Sequence, residues 1–289
     1  MSASSDEKPA PVVDAHHHFW QVARGDYHWM TAETGLPLRR DYLPEDLAPL
    51  LRKAGVDRTV VVQAAQSEAE TDFLLDLADG AGFVAGVVGW LDMEDAGFAG
   101  KLDRLLARPK FVGLRPMLQD LDDDAYILRP RVRDNLVRMA ERGVAFDVLS
   151  FPRHLANVTR ALEAVPQLRA VVDHLSKPAI AAREFDGWAT GISRLAALPN
   201  VHCKLSGMIT EADHASWRPA DLEPYVDHVL SAFGPGRLMF GSDWPVCLLA
   251  GSYAEVLNAL RTVLEGKLSA DERAGVYGAN AARFYSLPD

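Results

Sequence analysis

Three histidines stand side by side near the start of the chain, at His16, His17 and His18. Successive side chains of a β-strand point to opposite faces, so a strand here directs His16 and His18 to one face and His17 to the other. A His-x-His pair on one strand presents two imidazoles to a single metal ion, with a carboxylate as a third ligand. The spacing therefore predicts a metal-binding pair. A surface run of histidines without function is the alternative.

Asp243 is the carboxylate that best completes such a site. It follows the apolar segment 238–242 and precedes Trp244 and Pro245. A carboxylate buried at the end of an apolar strand is costly unless it has a charged partner or a chemical task. The alternative role is to cap the next helical segment, because aspartate is favoured at that position. We predict that Asp243 belongs to an active site.

The elements that must position these residues follow a regular order. Short apolar segments bounded by turn residues alternate with segments of helical periodicity. Strands that alternate with helices form right-handed βαβ units, and eight units of about 30 residues each close into a barrel. The sequence thus predicts a single (β/α)8 TIM barrel over residues 11–289, after a disordered tail at residues 1–10. The predicted strands are 12–18, 59–64, 84–91, 111–116, 144–149, 170–174, 201–206 and 238–243.

Catalytic groups of such a barrel come from the C-terminal ends of its strands. His174 ends the sixth predicted strand and is open to roles as base, ligand or oxyanion donor. Arg115 and Lys204 offer fixed positive charge where negative charge develops on a carbonyl oxygen. A structural ion pair with Asp147 or Asp173 is the competing interpretation for both cations. The long loop at residues 19–45 adds an aromatic rim, for which simple loop packing is the alternative.

Composition narrows the class of function. The net charge of −10 at pH 7, without a cluster of basic residues, argues against a nucleic-acid partner. The sequence contains no apolar run of about 18 residues, so no membrane span is predicted. Cys203 and Cys247 are too few for a disulfide framework, and no secretory signal is evident, so a cytoplasmic location is expected. Nucleotide-binding and serine-hydrolase motifs are also missing. We expect a monomer or homodimer that acts on a small molecule.

Together these residues resemble the sugar-lactonase branch of the amidohydrolase superfamily, typified by L-fuconolactonase. The resemblance covers nearly the whole chain after the predicted tail, and residues 240–247 are its most specific segment. A His-x-His pair alone would indicate only the superfamily. The segments that carry the resemblance are 13–20, 25–27 with Trp29, 41–44, 62–64, 88–90, 118–120, 173–174 with 177–178, 203–207 and 239–249.

The resemblance implies hydrolysis of an intramolecular ester, the lactone of a sugar acid such as an L-fuconolactone-like aldonolactone. It implies that His16, His18 and Asp243 bind one divalent metal ion, with zinc expected. Asp243 would take the proton from the attacking water and return it to the leaving alkoxide, while His174 and Arg115 polarise the carbonyl. The residues expected to contact the substrate are Arg115, Lys204, Gln63, Trp29 and Trp244.

Two features depart from that family. Pro116 stands where related lactonases tend to have a histidine, which predicts a missing substrate contact and altered specificity. The fifth strand, at residues 146–149, lacks the metal-binding histidine of many decarboxylase relatives. Some lactonases of this group work without a metal, so the resemblance leaves the metal requirement open. Metal-dependent non-oxidative decarboxylation and a non-catalytic binding or scaffold barrel are the alternative functions.

Overall fold

The computed structural model describes residues 11–31 and 36–288. Eight parallel strands, hydrogen-bonded in chain order, form the predicted (β/α)8 barrel. Each strand lies within its predicted segment, except that the second begins one residue early. The predicted tail at residues 1–10 lies outside the described residues, and the predicted domain boundary stays a prediction. The strands are β1 (Val13–His17), β2 (Arg58–Val62), β3 (Val84–Gly89), β4 (Phe111–Leu114), β5 (Ala145–Val148), β6 (Ala170–Val172), β7 (Val201–Leu205) and β8 (Leu238–Phe240).

Helices surround the barrel, and the longer ones bury an apolar stripe on the side that faces the core. Helix α9 shows how sequence sets a helix start. Ser252 Oγ accepts from Glu255 N–H at 3.3 Å, and the Glu255 carboxylate accepts from Ser252 N–H at 2.7 Å. The helices are α1 (Pro44–Ala54), α2 (Glu68–Gly80), α3 (Phe98–Leu106), α4 (Pro130–Glu141), α5 (Leu155–Glu163), α6 (Asp186–Ala196), α7 (Met208–Glu211), α8 (Pro219–Phe233), α9 (Tyr253–Val263), α10 (Ala270–Ala274) and α11 (Asn280–Tyr285).

The barrel closes between β1 and the segment that follows β8. His18 N–H donates to Trp244 O at 2.7 Å, and Asp243 N–H donates to His16 O at 2.8 Å. These two hydrogen bonds join the first strand to the last one. Closure therefore sets Asp243 beside the histidines of β1, although more than 220 residues separate them in the chain.

Asp14 holds this closure from outside the barrel. Its Oδ1 accepts from Ser242 N–H at 2.9 Å, and its Oδ2 accepts from the Tyr253 hydroxyl of α9 at 3.0 Å. Burial raises the pKa of Asp14 to about 6, although these hydrogen bonds act to lower it. A buried carboxylate thus fixes the backbone that carries Asp243.

The N-terminal end of the barrel is filled by apolar side chains. The helix α11 covers this end, since Ala281, Phe284 and Tyr285 pack against the same layer. The barrel is therefore a packed core, and its polar groups lie towards the C-terminal ends of the strands. The strand residues of the layer are Val13, Ala15, Val60, Val62, Val88, Ala145, Val171 and Met239.

The folded chain bears on two expectations from composition. Within residues 11–31 and 36–288, the helices are too short or too polar to cross a bilayer. Cys203 and Cys247 are both buried and free, as expected of small core residues. The cytoplasmic location stays a prediction.

Candidate active site

His16 and His18 meet Asp243 near the centre of the barrel. Asp243 Oδ1 lies 3.2 Å from His18 Nε2 and 3.8 Å from His16 Nε2. His17 points away from them, and its Nε2 lies 2.8 Å from Thr59 Oγ1 of β2. The three histidines therefore alternate as a strand requires, and the predicted pair shares one side with the carboxylate.

Asp243 adopts an unusual backbone conformation. Its φ is +55°, in the left-handed region that costs a non-glycine residue about 1 kcal/mol or more. Its carboxylate faces the imidazoles, with His174 Nε2 at 3.8 Å from Oδ1. The helical turn at Val246–Leu249 begins after Pro245 without a side-chain cap. Asp243 is thus directed into the barrel, and the helix-cap alternative is not observed.

Burial and neighbouring charges set the protonation states of the site. Burial acts to raise the pKa of Asp243, but the adjacent His174 and His18 hold it below its ordinary value. Burial lowers the pKa of His16 and of His174 well below the ordinary value, and the cationic Lys204 lowers that of His16 further. An ionised carboxylate and neutral imidazoles are the states in which these groups bind metal ions.

His174 reaches the site from a left-handed turn after β6. Residues 174–177 have φ values of 52°, 54°, 58° and 49°, and Lys177 N–H donates to His174 O at 2.7 Å. Each left-handed L-residue costs roughly 1–2 kcal/mol, so surrounding contacts must hold the turn. One of them joins His174 Nδ1 to Ser206 Oγ at 2.9 Å. The turn brings the imidazole and the Lys177 ammonium to one cavity.

Lys204 lies beneath His16 and has no exposed surface. Its Nζ is 2.5 Å from Asp147 Oδ2, 3.0 Å from Asp173 Oδ1 and 3.1 Å from His16 Nδ1. Lys204 is not among the residues that line the cavity, and its contact with the substrate stays a prediction. The ion-pair interpretation is the one that the geometry supports.

Gln63 and Trp244 are also buried behind the cavity wall. Gln63 is fully buried, and its Nε2 donates to Arg115 O at 2.7 Å. The Trp244 ring packs edge-on against Tyr42, with 5.1 Å between ring centroids. Neither side chain lines the cavity, so the expected contact of both residues with the substrate stays a prediction. Trp29 does line it, and its Nε1–H donates to Ala64 O at 2.8 Å.

A cavity of about 220 Å³ opens above Asp243. It is smaller than the roughly 300–1,000 Å³ of drug-sized sites, and so suits a monosaccharide-sized ligand. Arg115 lies at its floor, where Nη1 is 3.3 Å from Asp173 Oδ2 and 3.4 Å from His16 Nε2. Five of the predicted site residues line this cavity: His18, Trp29, Arg115, His174 and Asp243.

Sequence reasoning assigned no role to three further polar residues that line the cavity. Gln119 and Asp120 follow β4, and Lys177 follows β6. Each lies in a segment that carried the family resemblance, which was the only signal available. The side-chain direction of a loop residue has no periodicity from which it could be predicted. The apolar part of the wall comes from Leu38, Ala64, Met117, Leu149, Val246 and Leu249.

The donor geometry fits a metal ion. The ligand atoms of His16, His18 and Asp243 lie within 4.8 Å of one another. Ligands about 2.0–2.1 Å from a tetrahedral zinc ion lie roughly 3.3 Å apart. Asp243 Oδ1 is 3.2 Å from His18 Nε2 and 3.8 Å from His16 Nε2. His16, Asp173 and His174 form a second group of this kind.

The hydrogen bonding of His18 supports the same conclusion. Its Nδ1 lies 2.8 Å from Val62 O, and a carbonyl oxygen only accepts, so Nδ1 carries a proton. In a neutral ring Nε2 then presents a lone pair to the Asp243 carboxylate, 3.2 Å away. Two acceptors at this distance require either a cation or a second proton between them. The first of these possibilities is a metal site.

Comparison with known proteins assigns the chain to a family. The family model described as Amidohydrolase matches residues 13–287, and the chain belongs to this family. The L-fucono-1,5-lactonase of Burkholderia ambifaria is 44% identical over 279 residues, which cover 95% of each chain. That of Burkholderia multivorans is 40% identical over 287 residues, which cover 96% of each chain.

The likeness extends to three dimensions. A crystal structure of an amidohydrolase from Burkholderia multivorans with bound zinc has a TM-score of 0.89 and 41% identity, and the match covers 96% of this chain and 100% of that one. The predicted resemblance to the lactonase branch of the amidohydrolases is confirmed, as is the prediction of a hydrolytic enzyme.

Proposed function

We propose that this chain hydrolyses the lactone of a sugar acid by means of a water activated by Asp243. The observation that carries the proposal is the buried Asp243 carboxylate, held against three imidazoles at the floor of a small cavity. Similarity to two L-fucono-1,5-lactonases over nearly their whole length supports an aldonolactone as the substrate.

Asp243 has the charge and the position of a general base. The contacts with the three imidazoles at 3.2–3.8 Å involve Oδ1, so lone pairs on Oδ2 are left to accept a proton from water. As the water oxygen bonds to the carbonyl carbon, its proton passes to Asp243. The ring C–O bond then breaks, and Asp243 returns the proton to the leaving alkoxide. The product is the open-chain hydroxy acid.

Arg115 and His174 flank the position of the carbonyl group. The Arg115 guanidinium is anchored by Gln63 O and by Asp173, so its positive charge stays at the cavity floor. Fixed charge of this kind stabilises the oxyanion that develops on the carbonyl oxygen. His174, held by Ser206, orients the same end of the substrate.

His16, His18 and Asp243 would hold the divalent ion, for which zinc is the proposed identity. A bound ion supplies Lewis acidity that lowers the pKa of water and polarises a carbonyl group. The zinc of the related Burkholderia multivorans structure supports this assignment. The described residues do not favour decarboxylation. The strand β5 has no histidine that could bind a metal, and its carboxylate, Asp147, is paired with Lys204.

The test is a panel of aldonolactones, with L-fucono-1,5-lactone among them, followed by acid release. We expect the purified protein to open at least one lactone faster than the uncatalysed rate. Asp243→Asn should lower kcat by about 100-fold or more, as expected for loss of a general base. Asp120→Asn is the comparison variant, because this cavity carboxylate should alter KM more than kcat. A wild-type protein that opens none of the panel would contradict the proposal.

A further inference from the structure

A second cavity adjoins the active site at the mouth of the barrel. This outer chamber has a volume of about 330 Å³ and lies between residues 26–29, which follow β1, and residues 64–67, which follow β2. The residues that it shares with the wall of the active-site cavity are Trp29, Ala64, Met117 and Asp120. A ligand that fills the active-site cavity can therefore extend into the outer chamber.

We propose that the outer chamber is a subsite for a second sugar unit that carries no acidic group. The substrate is then the lactone of an aldonic acid that bears a glycosyl substituent. The inference deepens the proposed function, on which it rests for the lactone end of the substrate. Size supports it first, because the active-site cavity of about 220 Å³ suits one monosaccharide and the outer chamber is larger.

The wall that the two cavities share is held by buried hydrogen bonds. Both carboxylate oxygens of Glu70 accept from Ala64 N–H, at 2.9 and 3.1 Å, and Oε2 also accepts from Ala65 N–H at 2.8 Å. Ala64 O in turn accepts from Trp29 Nε1–H at 2.8 Å. Glu70 is fully buried in the chain. The chamber is thus formed before any ligand enters, which lowers the entropic cost of binding.

Trp29 gives the shared wall a large apolar surface. Its ring is partly exposed and packs edge-on against Trp20, with 5.3 Å between ring centroids. Tryptophan combines such a surface with few rotatable bonds, so little entropy is lost when a ligand packs on it. A pyranose ring presents a face of C–H groups for this contact and a rim of hydroxyl groups around it.

Three side chains of the chamber are available to those hydroxyl groups. His28, Gln66 and Asp120 are exposed, and none makes a side-chain hydrogen bond or ion pair with the rest of residues 11–31 and 36–288. A carboxylate accepts hydrogen bonds, whereas an amide group both donates and accepts them. Hydroxyl groups also do both, so this set of partners matches a polyhydroxylated ligand.

The charge of the chamber disfavours an acidic second unit. Asp26 is paired with Arg24 at 2.7 Å, whereas Asp120 has no cationic partner within the part of the chain that the structure describes. The described lining of the chamber contains neither lysine nor arginine. A carboxylate or phosphate on the second unit would therefore be repelled by Asp120.

The test compares the binding of product acids to the purified protein by titration calorimetry. Gluconate is the single-unit acid, and lactobionate, maltobionate and melibionate carry a second sugar on the 4- or 6-oxygen. We expect at least one of the three to bind about tenfold more tightly than gluconate, a gain equivalent to about 1.4 kcal/mol. The same acid with a uronate as its second unit should lose this gain. If none of the three binds more tightly than gluconate, the inference is overturned.

Two variants locate the second unit in the chamber. Gln66→Ala and His28→Ala each remove one hydrogen-bond partner, and each should reduce the advantage of the glycosylated acid over gluconate by about threefold to tenfold. The matched control is Gln167→Ala, since Gln167 is exposed and precedes β6 at the opposite end of the barrel. An advantage that is equal in all three variants would place the second unit outside the chamber and contradict the inference.

Failure of the proposed function is distinguishable from failure of this inference, because titration measures binding without turnover. A protein that opens no lactone but binds the glycosylated acids as expected would contradict the proposed function alone. A protein that opens simple lactones but binds no glycosylated acid more tightly than gluconate would contradict the subsite alone.

Discussion

The Cβ atom that Gly207 lacks would lie 2.5 Å from Nδ1 of His174. Gly207 follows β7 and has a φ of +62°, so both its backbone and its surroundings require glycine. The open space lets the imidazole lie against β7, where Nδ1 meets Ser206 Oγ. The position of His174 over Asp243 therefore depends on a residue that makes no polar contact with it.

Gly207→Ala should displace His174 and lower kcat by about tenfold to 100-fold, since small displacements of catalytic groups are costly. Gly266→Ala is the matched control, because Gly266 has a φ of +72° with no atom within 4 Å of the missing Cβ. Both variants should lose about 1 kcal/mol of stability from the left-handed backbone, measured by urea unfolding. Equal kcat values in the two variants would show that the space beside His174 is not required.

Strand placement could be predicted from the sequence because strands buried on both faces are short apolar runs. The C-terminal ends of parallel strands converge, so His16, His174 and Asp243 could be assigned to one site before the structure was known. The Ser252 and Glu255 pair that starts α9 is likewise visible in the sequence.

Depth within the barrel could not be predicted. The alternation of side chains along a strand predicts that Lys204 points into the barrel. It does not predict the position along the barrel axis, and this side chain lies under His16 instead of in the cavity. The backbone conformation of the loops could not be predicted from the sequence either. The left-handed turn at residues 174–177 brings Lys177 to the cavity, and the left-handed Asp243 precedes a Trp244 ring that packs away from it.

Lys177→Met should weaken substrate binding without stopping catalysis. Lys177 lines the cavity, and its Nζ lies 3.1 Å from Glu211 Oε1, which holds the ammonium group in place. We expect KM to rise by about fivefold and kcat to change little, because a partly exposed charge contributes on the order of 1 kcal/mol. Inhibition by the aldonate product should also weaken. Lys101→Met removes a lysine of α3 that is paired with Glu68 and Asp95, and it should leave both constants unchanged.

The free energy of unfolding should decrease as the pH is lowered, partly because of His17. Burial lowers the pKa of His17 to about 3, so the folded protein keeps this ring neutral. The unfolded chain binds the proton near the ordinary value of 6.5. Stability is therefore lost as pH falls through 6.5, and the loss continues down to about pH 3.

Replacing His17 should reduce this dependence. Between about pH 7.5 and pH 5.5, His17→Gln should lose about 1 kcal/mol less unfolding free energy than wild type. His214→Gln, at an exposed histidine, should follow wild type. Urea unfolding at both pH values measures the difference. Parallel losses in His17→Gln and wild type would mean that His17 is not neutral in the folded protein.

Metal removal tests which cation lies between His18 and Asp243. Because His18 Nδ1 donates to Val62 O, its Nε2 and Asp243 Oδ1 need a metal ion or a second proton between them. If an ion binds there, zinc added to chelator-treated protein should raise the thermal midpoint by several degrees, since a ligand held by the folded state alone stabilises it. Lactone hydrolysis should fall after chelation and return with the ion.

His18→Asn should abolish the zinc-dependent thermal shift, whereas His17→Gln should retain it, because His17 faces Thr59 outside the site. Calorimetry measures the thermal midpoint, and lactone assays on the same chelated samples measure activity. No thermal shift together with full activity after chelation would assign the second proton to His18. That imidazolium would then donate from Nε2 to Asp243, and the two residues would form a metal-free pair for the same hydrolysis.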